Sequence, residues 1–320
     1  MYCNLTIGIL LCVLSFVSFG PAYLLQVSLG EESQKINSAA GKESGQSSCC
    51  AAKEPNDLLG WRVGPTAWSF HKYCFFEAVD KTAALSMHYI ESFDWQKVSK
   101  DSNDIMSYKM PDEVRERVRS KLKSAGVILT SHYIGKFPDD EAGCRQVFEF
   151  GRKMGIKAFV CEPEPEQLDM IEKFCKEYEI ALAIHNHPEG KSRYWDPQEV
   201  LKVCQNRSKW IGACVDTGHW MRSGILPVEA LKMLKGRIVS LHLKDLNEFG
   251  DINAYDVPWG TGKGDIEAVL RELHRQGVKP VLFGIEYESN LENSMPDIAQ
   301  CGGFFHTVVE KLFQEAHKDA

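Results

Sequence analysis

Five residues at the ends of β-rich runs have the chemistry to hold a divalent cation: Glu162, His185, Asp216, His242 and Glu286. Carboxylate oxygens combined with imidazole nitrogens suit Mn²⁺, Mg²⁺, Co²⁺ or Zn²⁺. No thiolate joins them, which speaks against a structural zinc site. A lone histidine at a strand end is more often a hydrogen-bonded core group than a ligand. Five ionisable groups converging on one mouth would be costly to bury unless paired or metal-bound. The set therefore points to a metal centre. A base for proton transfer is expected among Glu286, Glu162, His185 and His187.

Something must carry these residues to one place. From Trp61 onward, short β-rich runs alternate with longer amphipathic ones. The runs Arg62–Thr66, His88–Phe93, Val127–His132, Lys157–Glu162, Ile180–His187, Trp210–Asp216, Ile238–Lys244 and Val281–Glu288 read as strands. Helices are expected over Pro111–Ala125, Asp140–Met154, Val228–Lys235 and Pro296–Ala316, three of them stopping before a glycine (Gly126, Gly155, Gly236). Eight strands, each followed by a helix, predict an α/β fold of the (β/α)8-barrel (TIM barrel) kind over residues 58–320. The rival is an open doubly wound sheet, but Gly64-Pro65-Thr66 is not the glycine-rich turn that fold places after its first strand.

Strand parity agrees with the barrel. In Ile180–His187, Ala181, Ala183, His185 and His187 share one face, opposite a branched face of Ile180, Leu182 and Ile184. Likewise Gly212, Cys214 and Asp216 share a face, as do Ser240, His242 and Lys244, then Gly284, Glu286 and Glu288, then Ala158, Val160 and Glu162. Each inward face ends on an ionisable group at the carboxyl end of its strand, where barrel enzymes place their chemistry.

Four stretches carry a likeness: VDTGHW (Val215–Trp220), SLHLKDL (Ser240–Leu246), DVPWGTGKGD (Asp256–Asp265) and GIEYE (Gly284–Glu288). Together they resemble the xylose-isomerase-like family of sugar isomerases and epimerases, over most of Trp61–Glu315. The resemblance implies that Asp216, His242 and Glu286 bind a divalent ion and that His219 contacts the substrate or tunes the site. The ketose epimerases of that family carry a glutamate at the fifth strand end, where this chain has His185. The run AIHNH (Ala183–His187) is more similar to a branch that includes inosose dehydratases and lyases acting on 3-keto-glycosides. Either way the implied reaction starts with removal of a proton beside a carbonyl. Return of the proton elsewhere gives isomerisation or epimerisation; loss of a β-leaving group gives a lyase or dehydratase. A small sugar or keto-sugar is the implied substrate.

Other side chains join as candidates. Lys244 could bind a sugar oxygen or reach the surface. His132 could line the pocket; Glu91 and Glu288 could bind hydroxyls or simply pair with a cation. Trp68, Phe70, Trp220 and Trp259 could stack on sugar rings or pack under loops. Gly260–Gly264 (GTGKG) lacks phosphate-loop spacing and reads as a flexible loop before a helix opened by Asp265.

Composition narrows the field. Net charge is −7 over 320 residues, which opposes a nucleic-acid partner and with it a nuclease built on the same barrel. A non-catalytic exported sugar-binding protein is the remaining rival. Leu5–Phe19 is almost wholly apolar, with no Lys or Arg before Lys35. Residues 1–29 read as a cleaved export signal or a retained membrane anchor, placing the protein in the periplasm or outside the cell. Residues 30–57, rich in Ser, Gly, Ala, Glu and Lys, read as a disordered linker. The eleven cysteines lack the spacing of a disulfide scaffold; Cys161 and Cys214 fall inside strands and are expected as buried thiols.

Overall fold

The computed structural model describes residues 58–318. The expected export signal or membrane anchor over 1–29 and the expected linker over 30–57 lie outside the described residues. Eight parallel strands form one sheet: β1 (Val63–Pro65), β2 (Tyr89–Phe93), β3 (Ile128–Tyr133), β4 (Ala158–Cys161), β5 (Ala181–His185), β6 (Ile211–Asp216), β7 (Ile238–Leu243) and β8 (Phe283–Ile285). Neighbours run in the order 1-8-7-6-5-4-3-2. A parallel bridge between Thr66 and Glu91 joins the first strand to the second and closes the ring. This is the barrel that the alternating pattern predicts, since a doubly wound sheet would leave two open edges.

Nine helices are described: α1 (Phe75–Ala84), α2 (Asp112–Ala125), α3 (Glu141–Met154), α4 (Leu168–Tyr178), α5 (Pro197–Cys204), α6 (Thr217–Arg222), α7 (Pro227–Met233), α8 (Ile266–Arg275) and α9 (Met295–Lys318). Their ends follow local chemistry. The Asp140 carboxylate accepts from the Gly143 amide to open α3, and Gly155, at φ +77°, closes it. Gly126 ends α2 in the same left-handed conformation. The Asp265 side chain opens α8, as its position after the glycine run leads one to expect. None of these helices is long and apolar enough to cross a membrane.

Two layers of core follow from strand parity. Large side chains such as Phe148, Phe159 and Phe174 pack between sheet and helices. Inside the ring, Val160, Ala183 and Cys214 form a small cluster of their own, bordered by Tyr133 and Val239. Small inner residues below leave the strand ends above free to carry polar groups. The seven cysteines among the described residues are buried and unpaired, in line with small apolar thiols. After β7 the chain adds a short antiparallel ribbon, Asp245–Leu246 against Asp256–Val257, which periodicity does not foretell.

Ring closure needs a glycine. A Cβ at Gly64 would lie 2.0 Å from the Tyr89 carbonyl oxygen, which is backbone of the neighbouring strand and cannot turn aside. Gly64→Ala is therefore expected to cost roughly 1–3 kcal/mol, as overpacking does, and to lower Tm by about 3–10 °C in a thermal melt. A variant melting with the parent would mean that β1 and β2 part at this level without cost.

Candidate metal centre and cleft

β5, β6, β7 and β8 end side by side, and each delivers one ligand-bearing side chain to the barrel mouth. His185, Asp216, His242 and Glu286 offer ligand atoms that all lie within 4.8 Å of one another. All four side chains are buried. His185 Nε2 is 3.7 Å from Asp216 Oδ2, and His242 Nδ1 is 3.1 Å from Glu286 Oε2.

The hydrogen bonds around the cluster show what it is built to receive. Both ring nitrogens of His185, Asp216 Oδ2 and His242 Nδ1 are buried without a hydrogen-bond partner. Buried polar atoms are rarely left so, and one such atom from each of His185, Asp216 and His242, together with a Glu286 oxygen, fits a divalent cation. The far sides of the same residues are well held. His242 Nε2–H donates to Glu91 Oε1 at 2.7 Å, and Ser131 donates to the other Glu91 oxygen at 2.6 Å. Asp216 Oδ1 accepts from the His219 amide at 2.8 Å. Thr66 donates to Glu286 Oε2 at 3.1 Å. The Asn186 side chain holds the Asp216 backbone from both sides, accepting from its amide and donating to its carbonyl. A carboxylate behind a ligating imidazole fixes the ring and its tautomer.

Lys244 lies against the cluster and is wholly buried. Its Nζ is 3.0 Å from Asp216 Oδ2, 2.9 Å from Glu286 Oε1 and 2.7 Å from Glu288 Oε2. The surface-reaching alternative for this lysine is thereby overturned. Burial works against its ammonium, but Asp216, Glu286 and Glu288 hold its pKa well above the ordinary lysine value. Burial likewise pushes Asp216 up, yet His219, Lys244 and His185 hold it well below the usual carboxylate range. For His242, burial disfavours the charged ring, while Cys214, Glu286 and Glu91 raise it well above the ordinary value. His219 goes the other way: burial, assisted by Lys244 and His185 against Asp216, keeps it neutral.

Glu162, just past β4, is the fifth residue of the expected set. It stands beside the cluster, with Oε1 3.7 Å from His185 Nδ1. The same oxygen accepts from His187 Nδ1, and Ser192 donates to the other at 2.5 Å. Burial raises its pKa, but His185 and His187 outweigh that and bring it down to about 2. It is therefore ionised throughout the neutral range.

A cleft of about 180 Å³ opens onto the cluster. His187, His219 and Glu288 line it together with Trp68, whose indole N–H donates to Glu288 at 2.7 Å. Four of the side chains offered for the pocket are not there. His132 points out of the barrel, fully buried between Phe150 and Phe159, where Ser92 Oγ–H donates to its Nδ1 and its Nε2–H donates to Asp94. The register between β2 and β3 shifts at Ile90/Glu91, and β3 runs one residue further than expected, so Tyr133 occupies the inward position. Trp259 belongs to the core and donates its indole N–H to the Leu243 carbonyl at 3.2 Å. Phe70 and Trp220 are core residues too. The loop after Trp259 does form an anion-holding turn, but its occupant is the chain's own Asp245, whose carboxylate accepts from the amides of Gly260, Gly262 and Gly264 at 2.9, 3.0 and 2.8 Å. Sequence reasoning misses Thr66, Trp95 and Tyr133 at the site. It also undervalues Glu91, whose partner His242 lies 151 positions away.

The molecule is a closed parallel barrel with a His/Asp/Glu cluster, able to hold a metal ion, at the carboxyl ends of its strands. The chain belongs to the xylose isomerase-like TIM barrel family, whose model matches residues 79–301. That family is of sugar isomerase and epimerase type. No curated protein matches the chain. Among solved structures, an uncharacterised protein from Parabacteroides distasonis ATCC 8503 shares 32% identity, with 77% of this chain and 98% of that one covered and a TM-score of 0.63. A D-tagatose 3-epimerase-like protein shares the fold at 14% identity, covering 80% and 99%, with a TM-score of 0.61. So does a xylose isomerase-like TIM barrel protein from Mycobacterium smegmatis in complex with magnesium, at 11% identity, covering 80% and 99%, with a TM-score of 0.64.

Calorimetric titration of the purified protein with Mn²⁺, Mg²⁺, Co²⁺ and Zn²⁺ is expected to give one tight site. Because Glu91 orients His242 from behind, Glu91→Gln should weaken that site by about 10–100-fold while leaving the fold intact. Asp216→Ala should abolish it. Equal affinity in parent and Asp216→Ala would move the ion elsewhere.

Proposed function

We propose that this protein is a divalent-metal-dependent enzyme that removes a proton beside the carbonyl of a small sugar, in the manner of a sugar isomerase or epimerase. The observation that carries this is the convergence of four buried residues, His185, Asp216, His242 and Glu286, each offering one ligand atom within 4.8 Å of the others, at the floor of a cleft. His185, Asp216, His242 and Glu286 would hold the ion. When bound, it would supply Lewis-acid stabilisation of charge developing on a carbonyl oxygen.

The chain's own groups divide the remaining work. Glu286 is an unsuitable base, because Thr66 and Lys244 already hold its two oxygens. His187 is the better one. It lines the cleft, and the ionised Glu162 accepts from its Nδ1–H, which leaves Nε2 as the proton acceptor. Glu162 then stabilises the imidazolium that forms, and Ser192 keeps Glu162 in place. Glu288, fixed by Trp68 and Lys244, retains free lone pairs for sugar hydroxyls. A second outcome, elimination from a keto-sugar, is favoured by His185. A two-carboxylate proton exchange across the substrate has no second carboxylate at this strand end.

Keto-sugars and 3-keto-glycosides incubated with the metal-supplied enzyme in D₂O should take up solvent deuterium beside the carbonyl, read by NMR. Epimerised product or an unsaturated product separates the two outcomes. His187→Ala should slow exchange by about 10²–10⁴-fold. Saturable sugar binding without any exchange would replace the enzyme with a binding protein.

A further inference from the structure

His185 has two ring nitrogens, and both are buried without a hydrogen-bond partner. One ion satisfies only one of them. Nε2 lies 3.7 Å from Asp216 Oδ2 and so falls to the four-residue cluster. Nδ1 faces Glu162 Oε1, also at 3.7 Å. That gap is too long for a hydrogen bond, so Glu162 is not the carboxylate that usually backs a ligating imidazole. Its Oε1 is taken by His187 Nδ1 instead, and Ser192 fixes its other oxygen at 2.5 Å. A second group of ligand atoms therefore gathers on this side. Glu162, His185 and His187 each offer one, all within 4.8 Å of one another. The two histidine rings stand at 67°, with centroids 4.7 Å apart. The first cluster is closed, but the His187 side chain is 40% exposed and lines the cleft, so an ion can reach this group from solvent.

We propose that Glu162, His185 Nδ1 and His187 Nδ1 form a second, weaker cation site that shares His185 with the first, and that an ion bound there takes His187 out of service as a base. Two imidazole nitrogens with one carboxylate oxygen suit Zn²⁺ or Co²⁺ and serve Mg²⁺ poorly, because that ion prefers an all-oxygen shell. With the first ion on His185 Nε2, the ring's proton sits on Nδ1, and the second ion enters with loss of that proton to solvent. At His187 the ion needs the Nδ1 lone pair, so the ring's proton moves to Nε2. Nε2 is the atom assigned above to accept a proton from substrate, and that acceptor is lost. The site stands on geometry alone; its effect on turnover rests on the function proposed above.

The test titrates the metal-free full chain with Zn²⁺ and, separately, with Mg²⁺ by calorimetry, and counts bound ions by metal analysis after dialysis at fixed free Zn²⁺. The parent should take up Zn²⁺ in a tight step and in a second that is at least roughly tenfold weaker, since the second site has one carboxylate against two. Mg²⁺ should fill the first site only. Glu162→Gln and His187→Ala should each lose one Zn²⁺ relative to the parent and keep the tight step, which also shows that each variant is folded. Ions held elsewhere on the chain cancel in that difference. His185→Ala should weaken both steps. A second Zn²⁺ retained by either Glu162→Gln or His187→Ala would overturn the site, and a second Zn²⁺ untouched by His185→Ala would overturn the sharing. Deuterium uptake from D₂O into a keto-sugar should fall as the second Zn²⁺ binds and stay level as Mg²⁺ is raised; uptake indifferent to the second Zn²⁺ would overturn the effect on His187 alone. Two Zn²⁺ steps with no exchange under any metal would overturn the proposed function and leave the site standing, whereas a single Zn²⁺ step with exchange intact would do the reverse.

Discussion

The buried ammonium of Lys244 is the interaction on which the site depends. Asp216, Glu286 and Glu288 all come within 3.0 Å of it. Carboxylates this close repel one another strongly in a low-dielectric interior, and a single fixed cation turns that repulsion into mutual attraction to one point. Lysine is suited to the task because its ammonium is a compact point charge with three donors, one for each carboxylate. The same contact links two levels of the site: Asp216 and Glu286 belong to the ligand cluster, while Glu288 faces the cleft. Gly218 makes room for the stem, since a Cβ there would come within 2.7 Å of the Lys244 Cβ. The glycine of the D-T-G-H stretch is thus explained by packing on a residue of the next strand.

The barrel's closing seam serves the same centre. Thr66 and Glu91 form the bridge between β1 and β2, and both reach across the mouth, Thr66 to Glu286 and Glu91 to His242. Ligand orientation and ring closure are therefore one construction. The supporting residues come from β1 and β2, opposite in sequence to the ligands on β5 to β8. A closed parallel sheet makes these neighbours in space at no cost in loop length.

Much of this was legible in the chain because strand parity is a rigid rule. Alternation in Ile180–His187, Trp210–Asp216 and Ile238–Lys244 puts His185, Asp216 and His242 on the inner face, and the structure brings all three together with Glu286. The rule fails where the backbone departs from regular alternation. At β2 and β3 the register shift displaces His132 outward and gives its place to Tyr133. Aromatic residues in loops carry no parity at all. Trp259 sinks into the core while Trp95 stays at the cleft, and only the hydrogen bonds around each, to Leu243 in one case and through Asp94 in the other, decide which. Long-range pairs such as Glu91 with His242 have no local signature, because they depend on closure of the ring.

Charge balance explains why a site of this kind wants a divalent ion. Asp216, Glu286 and Glu288 share one lysine, and Glu91 and Glu162 stand behind His242 and His185, so the carboxylates of the site outnumber its fixed cation. Protons on His242 and His185 can offset the excess, which is why their pKa values rise despite burial: Cys214, Glu286 and Glu91 act on His242, and Asp216 with Glu162 on His185. A metal ion requires those same nitrogens deprotonated. Proton and ion thus compete for one deficit of positive charge, and the carboxylates set its size. His187 stands just outside that exchange, bonded to Glu162 and half-exposed at the cleft. In the proposed reaction the inner pair, His185 and His242, would serve the cation and the outer His187 would serve the proton, so that one barrel mouth divides the two tasks.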